Sequence, residues 1–186
     1  MSEMRNALGM TTFLFLVSLA IGVVATIANP EIGQQLLEFF KEAILWDIMD
    51  SSPLDLALKL FLNNIQACIF MFLGGASLGL VTFFIIATNG LVIGSIIEAV
   101  RQEQSVVYVA AAIIPHGIFE IPAFIISGAL GFLLARALWN EWTASCDAGA
   151  YAAGLGKTFL KVVLPLIVIA AFTEAFITPQ IIHFLV

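Results

Sequence analysis

The fold class this sequence predicts is an all-α, polytopic membrane bundle, and three observations predict it. Of 186 residues, 61% are apolar and only 11% charged, with a mean hydropathy of +1.08. A typical soluble domain has about 45–50% apolar and about 25% charged residues. The apolar runs are about 20 residues long, the length a helix needs to cross the hydrocarbon layer. Period-two alternation, the mark of a transmembrane barrel, is missing, so the spans are helices. The same numbers exclude an ordinary soluble enzyme, a disordered chain and a nucleic-acid binder. Seven Lys and Arg against thirteen Asp and Glu leave nothing to neutralise phosphates. The length suits a single membrane domain over residues 1–186.

The elements follow in order. A first span covers residues 7–28 and stops at Asn29-Pro30. Its apolar stretch is longer than the usual ~7–15-residue core of a signal peptide, so it reads as a span that stays. Residues 31–51 form an amphipathic helix: Glu31, Gln34, Gln35, Glu38, Lys41 and Glu42 recur at helical spacing between Ile, Leu and Phe. Its negative charge disfavours anionic headgroups, so it should pack along the bundle at the interface. Ser51-Ser52-Pro53 is a helix start signal. Residues 56–73 and 80–97 are the second and third spans, reversed at the corner Gly74-Gly75-Ala76-Ser77-Leu78-Gly79. Gly75-xxx-Gly79 and Gly90-xxx-Gly94 offer small faces for close helix contact.

Residues 105–138 are too many for one straight span and too few for two. Pro115 removes a helical donor and Gly117 permits a bend. The expectation is a half-helix over 106–114, a break within the membrane, and a span over 118–138 that also carries Pro122. The last span covers residues 159–184, after a small-residue loop. With the N-terminus inside, Arg5, Arg136, Lys157 and Lys161 fall on the cytoplasmic side, and Lys41, Lys59 and Arg101 outside.

Polar residues at membrane depth demand a partner or a function. Glu174 sits mid-way along the last span, with Thr178-Pro179 one turn on. It is a proton or cation site, or a neutral acid hydrogen-bonded to a neighbouring helix. His116 and Glu120, four apart, share a face on any continued helix. Such a pair can relay a proton or hold the break together. Two ligands fall short of the three or four normal for zinc, so no metal site and no cofactor are expected. Asn63 and Asn64 in the second span, and Asn89-Gly90 in the third, supply interhelical hydrogen bonds, close approach or local unwinding. At least one of Asn63 and Asn64, and Asn89 as well, should hydrogen-bond towards the break and satisfy backbone groups it frees. Glu98 with Arg101 reads as an exposed charge pair at a span end. His183 reads as interfacial. Cys68 and Cys146 make neither a disulfide framework nor a metal site, and Cys68 behaves as a small hydrophobe. Gly75-Ala76-Ser77-Leu78-Gly79 mimics the nucleophile elbow of hydrolases, but no sheet is available to carry it. HExxH is absent.

The run Pro115-His116-Gly117-Ile118-Phe119-Glu120-Ile121-Pro122-Ala123, followed by Ile126-Ser127-Gly128-Ala129, resembles the signature of the stage II sporulation protein M family. Asn63-Asn64 and Asn89-Gly90 also look like recurring positions of that family. The resemblance covers nearly the whole chain. It implies a membrane protein of a prokaryotic plasma membrane. The family's founding member anchors peptidoglycan-degrading enzymes at the septal membrane during engulfment; the family also occurs in many bacteria and archaea that never sporulate. Carried over, His116, Glu120, Asn63, Asn64, Asn89 and Gly90 are its functional positions.

Two functions compete. One is a non-catalytic membrane scaffold or assembly protein. The other is a small transporter or channel-like protein using His116, Glu120 and Glu174, since broken helices often line ion sites. An intramembrane enzyme lacks a recognisable nucleophile. Expected partners are the lipid bilayer, other membrane or envelope proteins and further copies of the chain in a homo-oligomer, with no nucleic acid.

Overall fold

The computed structural model of the protein describes residues 2–48, 52–144 and 147–185. It is helical throughout, with no strand among the described residues. Helices α1 (Ser2–Ala28), α2 (Pro30–Ile48), α3 (Pro53–Leu73), α4 (Leu80–Glu103) and α5 (Val106–Ala144) are followed by α6 (Ala148–Thr158), α7 (Leu164–Phe172) and α8 (Thr178–Leu185). Two π-helical turns, Phe159–Val163 and Thr173–Ile177, join the last three into one rod, Ala148–Leu185. Five segments are long and apolar enough to cross a membrane: α1, α3 with its following turn, α4, α5 and that rod.

Local signals explain the boundaries. The Asn29 side chain accepts from the Glu31 amide at 3.2 Å, and Pro30 opens α2. Ser52 caps α3 through a reciprocal pair with Asp55, and Pro53 occupies the first turn. Ser51 and Cys146 lie outside the described residues. The corner expected at Gly74–Gly79 is present: a 3-10 turn over Gly74–Ser77, then Leu78 and Gly79 at positive φ, 56° and 85°. The Ser77 hydroxyl donates to the Gly74 carbonyl at 2.6 Å and accepts from the Val81 amide at 2.9 Å. It is thus engaged in closing this turn. The buried Thr82 hydroxyl donates to the Met71 carbonyl at 2.8 Å and clamps α4 against the end of α3.

Glycines set the helix pairing. A Cβ at Gly94 would collide with the Leu19 carbonyl, one at Gly22 with the Leu91 carbonyl, and one at Gly90 would lie 2.8 Å from the Phe15 carbonyl. Helices α1 and α4 therefore run parallel in backbone contact, and Gly90-xxx-Gly94 is the face that permits it. Gly90 gives close approach within an unbroken helix rather than local unwinding. Gly75 works differently: it meets the Gly131 carbonyl of α5, while Gly79 supplies the left-handed turn. On α2, Gly33 packs onto Thr26 and Ala99, so this helix folds back over the ends of α1 and α4. Glu3 pairs with Arg136 at 2.9 Å, joining the start of α1 to the far part of α5. The N-terminus, the Gly74–Gly79 corner and Arg136 thus share one end of the bundle. The start of α3, Arg101 and the C-terminus share the other.

The expected membrane break is corrected. Helix α5 runs uninterrupted for 39 residues through Pro115, Gly117 and Pro122, so there is neither a half-helix at 106–114 nor a re-entrant segment. At 1.5 Å per residue it is about 58 Å long, almost twice the hydrocarbon thickness. Length alone misled, because a helix is free to overrun the bilayer. Its exposed Trp139 and Trp142 suit the headgroup level. The two prolines are seven apart, two turns, so their rings fall on one side of the helix. In an apolar environment, breaking the helix would orphan more backbone groups than the two carbonyls the prolines already free. Glu98 is a second correction. It is buried (3% exposed), not an exposed partner: Arg101 grips it with Nε–Oε2 and Nη2–Oε1 contacts of 2.6 Å, and Gln102 adds a third bond at 3.1 Å.

Candidate functional site

Three inward-facing stripes converge on one polar level. On α5 the stripe Ala123, Ser127, Leu130, Leu134 is buried at helical spacing, and Glu120 and His116 extend it by one step each. On the last rod the stripe is Val163, Ile167, Ala170, then Glu174 and Thr178. On α3 it is Met71, Cys68, Asn64 and Ala57. These three elements pack on one another. The stripes are otherwise largely apolar or hydroxyl-bearing, but His116, Glu120, Asn64 and Glu174 meet at one height.

One donor atom each of His116, Glu120 and Glu174 lies within 4.8 Å of the other two. The three side chains are partly buried. Asn64, buried at 7% exposure, lies beside the Glu120 carboxyl. The Nδ1 nitrogen of His116 is buried and meets no hydrogen-bond partner. Beside the cluster, a groove of about 560 Å³ is lined by Leu56, Leu60, Ala112, Glu174, Thr178 and Ile182, with His183 at the C-terminal end of the bundle.

The backbone around Glu174 is special. It lies in the π-helical turn Thr173–Ile177, two residues before Pro179. The other π turn, Phe159–Val163, precedes Pro165 by the same spacing. Each proline withdraws an amide and crowds the carbonyl four residues back, and the helix widens to accommodate it. The Thr178 amide and hydroxyl both turn to the Thr173 carbonyl, the latter at 3.3 Å. The extra residue in the wide turn aims Glu174 at α5.

Not all the expected residues gather here. Asn63 is exposed on the outer face of α3 and donates to the Asn64 side chain at 3.3 Å. Asn89 donates to the Ile85 carbonyl of its own helix at 2.8 Å and borders a small gap with Thr11, Phe15 and Phe124. Of the three amides expected to turn towards Pro115–Glu120, Asn64 alone lies beside Glu120. Pro115, Gly117 and Pro122 lie within α5 as helical residues. His183 is exposed at the bundle end. Sequence reasoning counted two ligands for a metal; the fold adds a third, Glu174.

The sequence matches the family described as Stage II sporulation protein M over residues 11–179. The chain belongs to that family. The Stage II sporulation protein M match takes in the three middle spans whole, most of the first and last, and every residue of the cluster. The chain is 35% identical over 127 residues to an uncharacterized protein of Methanocaldococcus jannaschii, covering 66% of this chain and 71% of that one. A second uncharacterized protein of the same organism is 32% identical over 92 residues, half of this chain, which spans only 39% of that relative's length. No solved structure matches.

Proposed function

We propose that this Stage II sporulation protein M family member is a non-catalytic scaffold or assembly protein of a prokaryotic plasma membrane, with its N-terminus in the cytoplasm. The observation that carries this reading is the filling of the bundle. Between the polar cluster and the N-terminal end, the interhelix space is occupied by Met71, Leu130, Val163, Ile167 and Ala170, all 0% exposed. The outer face carries many exposed large hydrophobics, which suit lipid and other membrane or envelope proteins, including further copies of the chain. The test is twofold. The protein, solubilised from native membranes in mild detergent, is expected to carry an envelope protein in fixed stoichiometry. Purified protein in sealed liposomes is expected to pass no protons or cations beyond the empty control. A reproducible flux would replace the scaffold with a transporter.

One observation favours that second reading, a small transporter or channel-like protein: two carboxyls and an imidazole converge beside a groove. It predicts a pH-dependent flux in the same liposomes that Glu120→Gln and Glu174→Gln each abolish without unfolding the protein.

A further inference from the structure

We propose that His116, Glu120 and Glu174 bind one divalent first-row transition-metal ion, admitted through the groove at the C-terminal end of the bundle. The inference is independent of the scaffold reading, which survives if no metal binds.

Four observations carry it. First, the donor set is one imidazole and two carboxylates from two different spans, each able to offer one atom within 4.8 Å of the others. Three ligands held about 2.1 Å from an ion in tetrahedral geometry stand about 3.4 Å apart. Small side-chain rotations close that gap. Second, the buried Nδ1 of His116 meets no hydrogen-bond partner. Buried polar atoms are almost always satisfied, and this imidazole nitrogen, uncommitted to any protein partner, is free to act as a ligand. Third, Asn64 is buried on α3 beside Glu120, placed to orient a ligating carboxylate. Fourth, among the described residues those lining the groove include neither Lys nor Arg, so compensation by a basic side chain is not supplied from there. Two carboxylates side by side at membrane depth need a proton or a cation between them. A divalent ion satisfies both and the imidazole together.

The chemistry selects the ion class. Imidazole with carboxylates suits zinc, iron and manganese, whereas magnesium and calcium prefer all-oxygen shells. Three protein ligands leave a fourth position open. Glu174 borders the groove, so that position is within reach of water or an exchanging ligand.

The experiment uses the full chain in lipid nanodiscs, stripped with a chelator and titrated with Zn²⁺ alone. Calorimetry and elemental analysis should give one tightly bound ion per chain, and Zn²⁺ should raise the unfolding temperature. His116→Gln, Glu120→Gln and Glu174→Gln should each weaken binding by at least about tenfold and remove the Zn²⁺-dependent rise. Should a Gln variant fail to fold, Glu174→Asp keeps the carboxyl and withdraws it by one methylene, and an intermediate affinity is expected. Co²⁺ should produce the visible absorption of a four-coordinate site in the wild type and not in the three cluster variants. Glu31→Gln, exposed on α2 and outside the groove, should bind as the wild type does. No binding by the wild type would overturn the proposal. So would affinities unchanged in all three cluster variants, or binding lost in Glu31→Gln alone.

Discussion

At Gly94 the backbone of α4 comes so close to the Leu19 carbonyl that a methyl group has no room. The obstacle is backbone, which does not swing aside as a side chain does. Gly94→Leu should therefore destabilise the bundle by about 1–3 kcal/mol or more, measured by unfolding in detergent. Gly154 is the control: it is exposed, with nothing within 4 Å of a built Cβ. Gly154→Ala should stabilise α6 by about 0.5–1 kcal/mol, because Gly in a helix interior forfeits that much. Glu98 tests burial of charge. Its carboxylate is buried while Arg101 is half-exposed, so Arg101→Ala strands the acid with Gln102 alone. The expected cost is about 1–3 kcal/mol, and Glu98→Ala combined with Arg101→Ala should cost less than the sum of the single changes. The i, i+3 spacing of Glu98 and Arg101 announced their pairing. Nothing in that spacing announced that α4 buries the acid, because burial is set by which neighbour covers that face.

At the scale of the element, two prolines write the same structure twice. Pro165 and Pro179 each stand two residues beyond a π turn; the first turn carries the exposed Lys161, the second the partly buried Glu174. Pro179→Ala restores an amide donor to the Ala175 carbonyl and lets the segment return to α-helical bonding. Amide exchange over residues 175–180 should slow by about tenfold or more, since an interior proline costs a helix about 3 kcal/mol. Removing one residue's worth of π turn also rotates Glu174 by about 100° relative to α8, out of line with His116 and Glu120. Helix α5 shows the contrary outcome. Pro115-His116-Gly117 carries the residue types of a helix breaker, and the helix passes through them. Proline signals a cost; the surroundings decide whether the chain breaks, widens or continues.

Across the whole molecule, five crossings put the two termini on opposite faces. Glu3 sits with Arg136 at one end, and His183 closes the groove at the other. In a Cys68→Ala, Cys146→Ala background, Ser2→Cys and His183→Cys should react with a membrane-impermeant maleimide from opposite sides of sealed vesicles. Reaction from the same side would refute an odd number of crossings. The Glu3–Arg136 pair itself is about half exposed at both ends. Arg136→Ala should therefore cost no more than about 1 kcal/mol, read as a small shift in the unfolding midpoint.

Much of this fold is local chemistry, and local chemistry is legible in a sequence. The five apolar lengths, the Ser52-Pro53 and Asn29-Pro30 starts, the glycine corner at 74–79 and the shared face of His116 and Glu120 all follow from hydropathy, capping and helical periodicity. Each depends on residues within a few turns of one another. The tertiary structure alone decided that α5 stays whole, that Glu98 is covered, that Asn64 rather than Asn63 or Asn89 lies beside Glu120, and that Glu174 completes a three-ligand cluster. Those outcomes depend on which stripe of one helix meets which stripe of another, and at what height. That alignment is set by glycine contacts such as Gly94 on Leu19 and Gly75 on Gly131, and by a single residue's rotation in a π turn. Neither carries a periodic signal along the chain, so neither shows until the helices are packed.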